Sequence, residues 1–210
     1  MKSIGIGLAL LAGIGLILFR PPSIEEKQAR LEPELREILD ARKVQVDPAE
    51  LLHQIYDFNT RLKIFDVRSE SEYNLFHIVD AENVSLEQLR DSGWVKLLPE
   101  ETVFVLVSND EKKATDAWKI LMAQGILNLY ILEGGVNFWL DLYLHRSPIQ
   151  SSGISGPNPS GDDTLRHDFE FALGAGHPAA DIDPRDFPER NYTRKIKQVG
   201  RVAKKSGSCG

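Results

Sequence analysis

Short apolar runs alternate with helix-forming segments along the middle of the chain, and this alternation restricts the fold more than any other feature. The run Val103–Val107 is apolar without interruption and mostly β-branched, which is typical of a central strand in a parallel sheet. Two further short strands are indicated at Leu62–Val67 and Leu129–Leu132. A helical pattern over Lys113–Gln124, closed by Gly125, lies between two of them. Strands that alternate with helices predict an α/β fold with a parallel sheet flanked by helices.

An apolar stretch, Ile4–Phe19, precedes this region. A helix rises about 1.5 Å per residue and the hydrocarbon core of a bilayer is about 30 Å thick, so the stretch with its flanks predicts a single-pass membrane anchor within residues 1–22. A cleaved signal peptide is the rival interpretation, although Leu18-Phe19-Arg20 lacks the small residues of a cleavage site. A buried hydrophobic helix is the third interpretation. The membrane, contacted through residues 4–19, is therefore an expected partner.

The charges that flank this stretch bear on localisation. Lys2 lies before it, and Arg20, Lys27 and Arg30 lie after it. The positive-inside rule therefore favours a cytoplasmic globular part, while a periplasmic or other extracytoplasmic side stays open.

Composition excludes several classes of function. The chain has 31 acidic and 25 basic residues and a net charge of −6, so no nucleic-acid partner is expected. Its single cysteine, Cys209, cannot form an internal disulfide, and a cysteine-rich zinc site is excluded. No metal and no cofactor is predicted.

Two further segments flank the central region. Ser23 as N-cap and Glu26 at the third helical position predict a helix in a spacer over residues 23–43, with a bend or late start at Pro33. A stretch rich in Ser, Gly and Pro then leads into a C-terminal extension, residues 149–210, which we expect to be irregular and partly disordered.

The central region contains short motifs in a fixed order. Along the chain they are Asp66-Val67-Arg68, Glu72-Tyr73, His77-Ile78, Ala81 with Asn83-Val84, Gly125, Asn128-Leu129-Tyr130 with Leu132, Gly134-Gly135 and Trp139. Each motif is weak alone, but their order and spacing resemble the rhodanese-like (sulfurtransferase-like) family. We therefore interpret residues 44–148 as a rhodanese-like domain.

The resemblance implies an anion cradle where the central strand runs into a tight loop and a helix begins. In active members a cysteine at the first loop position forms a persulfide, and an arginine late in the loop holds the anionic substrate. Counting back from Gly125 places Ser108 at the cysteine position and Lys113 at the arginine position, and a slip of one residue gives no cysteine either. Between them lie Asn109, Asp110, Glu111 and Lys112.

This loop departs from the chemistry of the family. A serine hydroxyl is barely ionised at neutral pH and cannot hold a sulfane sulfur. Asp110 and Glu111 add two negative charges where an anion would sit, and the loop has no glycine. We therefore expect both the nucleophile and the cradle to be lost.

Several hypotheses about function follow. The leading one is a non-catalytic binding or scaffolding module at the membrane, with a protein or a small anion as its partner. The alternative is a sulfurtransferase or sulfur-relay protein that uses Cys209 or a partner's thiol. A serine hydrolase, with Ser108 activated by His77, is the third. We interpret Asp66 and Arg68 as residues that fix the strand end rather than as a substrate clamp.

Overall fold

The computed structural model describes residues 21–144, 156–186 and 190–197, and a parallel sheet lies at their centre. The strands are β1 (Gln45–Val46), β2 (Leu62–Asp66), β3 (Ala81–Asn83), β4 (Val103–Val107) and β5 (Leu129–Leu132). The helices are α1 (Ile24–Asp40), α2 (Pro48–Ile55), α3 (Glu70–Leu75), α4 (Leu86–Arg90), α5 (Ser92–Val95), α6 (Lys112–Ala123) and α7 (Gly135–Tyr143), and a 3-10 turn spans Pro184–Asp186.

The five strands lie in the order β1-β5-β4-β2-β3, and every pairing is parallel. Strands β2 and β4 align from Leu62 opposite Val103 to Asp66 opposite Val107. The predicted α/β fold with a parallel sheet flanked by helices is therefore confirmed. In sheets of this kind the carboxyl ends of the strands meet at one edge, which is where ligands usually bind.

Strand β4 separates two apolar layers, because its buried side chains alternate between the two faces of the sheet. One layer contains Val103, Val105 and Val107 with Leu51 of α2 and Trp139 of α7. The other contains Phe104 and Leu106 with Leu35 of α1, Leu89 of α4 and Trp118 of α6. Helices thus cover both faces, which explains why β4 is apolar throughout.

Helix α1 begins as predicted. The Oγ of Ser23 accepts a hydrogen bond from the backbone N–H of Glu26 (3.2 Å), whose side chain accepts one from the N–H of Ser23 (2.9 Å). The expected bend or late start at Pro33 is wrong, because the helix runs continuously from Ile24 to Asp40. Its apolar face, with Leu35 buried, packs on the layer that contains α6, and this packing supports the helix across the proline.

The prediction of a single-pass membrane protein is corrected. Among the residues that the structure describes, no helix is long and apolar enough to cross a membrane. The longest of these, α1, has 17 residues and contains many charged side chains, whereas a span needs about 20 mostly apolar residues. The stretch Ile4–Phe19, on which the prediction depended, lies outside the described residues.

The described part of the C-terminal extension is irregular, as expected, yet it packs on the domain. Phe76 and Gly174 form an isolated parallel bridge, and the indole Nε1 of Trp139 donates to the carbonyl of Ala179 (2.7 Å). The buried apolar residues of this part are Ala179, Ala180, Ile182 and Ile196. The extension therefore contributes to one of the two apolar layers. The predicted boundaries of the anchor, the spacer, the rhodanese-like domain and the extension remain predictions.

Candidate functional site

The loop that follows β4 lies at the carboxyl end of the central strand, between the ends of β2 and β5. We call residues Ser108–Lys113 the cradle loop. Its first four residues are almost fully buried, with 0%, 0%, 1% and 3% of their surface exposed. Helix α6 begins at Lys112, so unpaired backbone amides are available where the loop enters the helix.

Ser108 has a structural role in this loop. Its buried Oγ accepts a hydrogen bond from the backbone N–H of Ala114 (3.2 Å). His77 donates from Nδ1 to the carbonyl of Tyr73 (2.8 Å) and stacks on that ring, with centroids 3.7 Å apart. A nucleophilic serine needs a base within hydrogen-bond reach, and the hydrogen bonds of these two side chains do not join them. The geometry therefore gives no support to the serine hydrolase hypothesis.

The acidic side chains of the cradle loop are directed to partners outside it, which corrects the expectation that they fill the cradle with negative charge. Asp110 accepts a hydrogen bond from Nη1 of Arg166 (2.6 Å). Glu111 accepts two from Arg42 (2.6 and 2.8 Å) and one from the backbone N–H of Gly134 (2.8 Å). Because each carboxylate has a guanidinium partner, the loop amides remain available to another anion.

Asp163, from the C-terminal extension, supplies that anion. Its Oδ1 accepts a hydrogen bond from the backbone N–H of Asp110 (2.7 Å), and its Oδ2 accepts one from the N–H of Lys113 (2.7 Å). The Nδ2 of Asn109 donates to the backbone carbonyl oxygen of Asp163 (2.9 Å). Asp163 is 4% exposed and has a left-handed backbone with φ +64°. The cradle is therefore intact, and the chain's own carboxylate occupies it.

The first turn of helix α7 donates hydrogen bonds to the backbone of the cradle loop. The backbone N–H of Val136 donates to the carbonyl of Ser108 (2.9 Å), and that of Asn137 donates to the carbonyl of Asn109 (3.0 Å). Gly135, with φ +61°, lies directly against these carbonyls. The first turn of α7 thus uses its otherwise unpaired amides to fix the loop backbone.

We call residues 156–168 the strap. Asn137 binds its backbone at two points, because its Nδ2 donates to the carbonyl of Thr164 (2.8 Å) and its Oδ1 accepts from the N–H of Arg166 (2.8 Å). Nε2 of His167 lies 3.1 Å from Oδ1 of Asp141. These contacts hold Asp163 over the cradle loop.

Glu72 of α3 supports the cradle from the side of β2. Its carboxylate accepts a hydrogen bond from Nδ2 of Asn109, the side chain that also contacts Asp163. Burial alone would raise the pKa of Glu72, but hydrogen bonds from Ser69 and Asn109 outweigh it and lower the pKa below the ordinary value. The folded state therefore favours the ionised form of this carboxyl.

The lowered pKa of Glu72 gives a pH dependence with a definite sign. The unfolded chain takes up this proton at a higher pH than the folded chain, so the stabilisation is present above the unfolded pKa and is lost as the pH falls through the folded pKa. Glu72→Gln is expected to flatten the fall in melting temperature between about pH 5 and pH 3. Glu70→Gln, an exposed change on the same helix, serves as the control. Equal slopes for both variants and the unmodified chain would contradict this prediction.

Asp66 and Arg68 form an ion pair at the end of β2 whose side chains are 1% and 0% exposed. Nε of Arg68 donates to Oδ1 of Asp66 (2.9 Å), and Nη2 donates to the carbonyl of Phe76 (2.6 Å). A weaker bond, 3.4 Å long, joins Nη1 to Oδ1 of Asn109. All three nitrogens of the buried guanidinium donate to protein acceptors, which agrees with a structural role and not with a substrate clamp.

The site offers backbone donors and no nucleophile. The cradle loop has serine, asparagine, two acids and two lysines, and the only cysteine of the sequence, Cys209, lies outside the described residues. Within the described part of the chain no group of His, Cys, Asp and Glu side chains could hold a metal ion. What the arrangement can do chemically is bind a carboxylate or a similar anion.

A family model identifies the domain. The family model of the rhodanese-like domain matches residues 47–142, so the chain contains a rhodanese-like domain. No curated protein matches the sequence.

Three similar solved structures illustrate the range of the likeness. A rhodanese-related protein from Thermoplasma volcanium is 22% identical, with 47% of this chain and 91% of that chain covered and a TM-score of 0.40. A protein from Bacillus halodurans is 22% identical, with 51% and 79% covered and a TM-score of 0.42. A rhodanese-like domain from Anabaena sp. is 21% identical, with 60% and 92% covered and a TM-score of 0.40.

Proposed function

We propose that this rhodanese-like domain is a non-catalytic binding module. The observation that supports the proposal is the carboxylate of Asp163, which accepts hydrogen bonds from the backbone N–H groups of Asp110 and Lys113, both 2.7 Å long. An occupied cradle cannot stabilise a thiolate or a bound oxyanion substrate at the same time. Binding of an acidic group thus replaces sulfur chemistry as the use of this loop.

The nature of Ser108 supports the same proposal. We place it at the position where active members of the family have a cysteine. Its hydroxyl is buried and accepts a hydrogen bond from the N–H of Ala114, which ties it to the first turns of α6. An alcohol that is un-ionised at neutral pH offers neither the nucleophile nor the sulfur carrier that the transfer requires.

A sulfur-transfer assay tests the proposal. The full chain is incubated with thiosulfate and cyanide beside Cys209→Ala and Ser108→Cys variants and an active rhodanese as positive control. We expect no thiocyanate above the uncatalysed rate from the unmodified chain or from Cys209→Ala. Ser108→Cys is also expected to be inactive, because Asp163 still occupies the amides that would stabilise the new thiolate.

Two results would contradict the proposal. Turnover by the unmodified chain that disappears in Cys209→Ala would make the sulfur-relay hypothesis the better one. Turnover that persists in Cys209→Ala would place the sulfur chemistry elsewhere in the chain and contradict the binding role directly.

A further inference from the structure

The strap is attached to the domain mainly by polar contacts, although Leu165, which is partly buried, packs against an apolar layer of the domain. Only Gly161 and Asp163 are buried within residues 156–168, and neither has an apolar side chain. Further along, Ala179, Ala180 and Ile182 are buried in an apolar layer of the domain. Release of the strap therefore breaks its hydrogen bonds and the contact of Leu165, while the later residues keep the extension attached.

The contacts of the strap define a pattern of residues. Asp163 supplies the carboxylate to the loop amides, and Arg166, three residues later, pairs with Asp110 at 2.6 Å. The side chain of Asp110 is only 2% exposed. A ligand that brings no cation to this carboxylate leaves a buried unpaired charge, which destabilises the complex. The side chain of Asn137 contacts only backbone atoms of the strap, so these contacts do not depend on the side chains of the ligand.

Gly161 adds a third element to the pattern. A Cβ at this position would overlap the carboxylate of Asp110 and come within 2.6 Å of its Cγ. Asp110 cannot move aside easily, because Arg166 and Asn137 both bind its Oδ1. A glycine two residues before the aspartate is thus required by space.

We propose that the strap is an internal ligand that competes with a segment of a partner protein of the form Gly-x-Asp-x-x-Arg. This inference rests on the proposed binding function and names the class of partner. The partner's aspartate takes the place of Asp163 on the amides of Asp110 and Lys113, and its arginine takes the place of Arg166. Since a tethered ligand has an effective concentration of the order of millimolar, the strap keeps the site closed to weak or incomplete matches.

Binding of a synthetic peptide tests the inference. The probe has the sequence of residues 158–168 and is titrated into the full unmodified chain, the Asp163→Ala variant and an Asp162→Ala control. We expect Asp163→Ala to bind it at least about tenfold more tightly than the other two chains, because its internal competitor has lost the carboxylate. Addition of the peptide is also expected to shift the amide resonances of Asp110 and Lys113.

Peptides with single changes test each element of the pattern. Asn at the position of Asp163, or Ala at the positions of Gly161 or Arg166, is expected to weaken binding to Asp163→Ala by about tenfold or more. A folded Asp163→Ala chain that binds no peptide, or binds the Asn peptide equally well, would overturn the inference. If Asp163→Ala does not fold, Asp163→Asn takes its place with the same criteria. If the peptide assay fails and the sulfur-transfer assay shows no turnover, only the inference about the partner is overturned. The proposed non-catalytic function is tested by the separate readout of thiocyanate formation.

Discussion

Gly135→Ala is expected to destabilise the domain by about 4 kcal/mol, which is a large part of the ~5–15 kcal/mol that stabilises a typical protein. Gly135 has φ +61°, and a left-handed backbone costs a residue with a Cβ roughly 1–2 kcal/mol. The new Cβ would also overlap the carbonyl oxygens of Ser108, Asn109 and Asp110. Overpacking against backbone typically adds roughly 1–3 kcal/mol, because these atoms cannot move without the cradle loop.

Gly125→Ala is the matched control for this prediction. Gly125 also has a positive φ, +89°, but a Cβ there would meet nothing within 4 Å. Gly125→Ala is therefore expected to lower the free energy of unfolding only through backbone strain, by about 1–2 kcal/mol. The free energy of unfolding of both variants is measured by urea denaturation. Equal losses for the two variants would show that the cradle loop does not lie against Gly135 as described.

Arg68→Met is expected to cost about 3–5 kcal/mol. The change leaves the carboxylate of Asp66, which is 1% exposed, without its cation. It also removes the donor to the carbonyl of Phe76. An unpaired buried charge is much more costly than the net value of the pair, so one substitution has a large effect.

The double variant Asp66→Asn/Arg68→Met separates the pair from other effects. Removal of both charges is expected to recover a substantial part of the loss, since neither charge is then buried alone. The four chains of this cycle are compared by urea denaturation. A loss below about 1 kcal/mol for Arg68→Met would contradict the structural role of the pair and revive the substrate-clamp interpretation.

The sheet could be predicted from the sequence because its signals are local. The uninterrupted run Val103–Val107 marks a strand that is covered on both faces, and the structure buries all of its residues. The position of the cradle loop follows from the same signals, since it joins this strand to the next helical pattern. The family motifs added the order of the elements, and the match of residues 47–142 confirms that assignment.

The occupant of the cradle could not be predicted, because the contact is long-range. Asp163 lies 50 residues after Lys113 in a polar stretch, and nothing in its neighbourhood distinguishes it from the adjacent Asp162. The directions of Asp110 and Glu111 depend in the same way on Arg166 and Arg42, which are distant in sequence. Charges counted along the loop therefore suggested a spoiled cradle, whereas the fold neutralises them from outside.

The membrane prediction shows a different limit. It rested on the composition and length of one stretch near the start of the chain. The helices of the described residues offer no membrane span, and α1, which follows that stretch, packs against α6 as part of the domain. The binding function proposed here depends on the cradle loop and the strap alone.

The most direct test of the account measures the backbone amides of the cradle loop by NMR. In Asp163→Asn the carboxylate that accepts from Asp110 and Lys113 is replaced by a neutral amide, whose NH₂ group cannot accept a hydrogen bond. We expect the amide resonances of Asp110 and Lys113 to move upfield further than any others outside the strap, and to stay in place in Asp162→Asn. Shifts at these two amides that are no larger than in the Asp162→Asn control would show that the cradle is not occupied by Asp163.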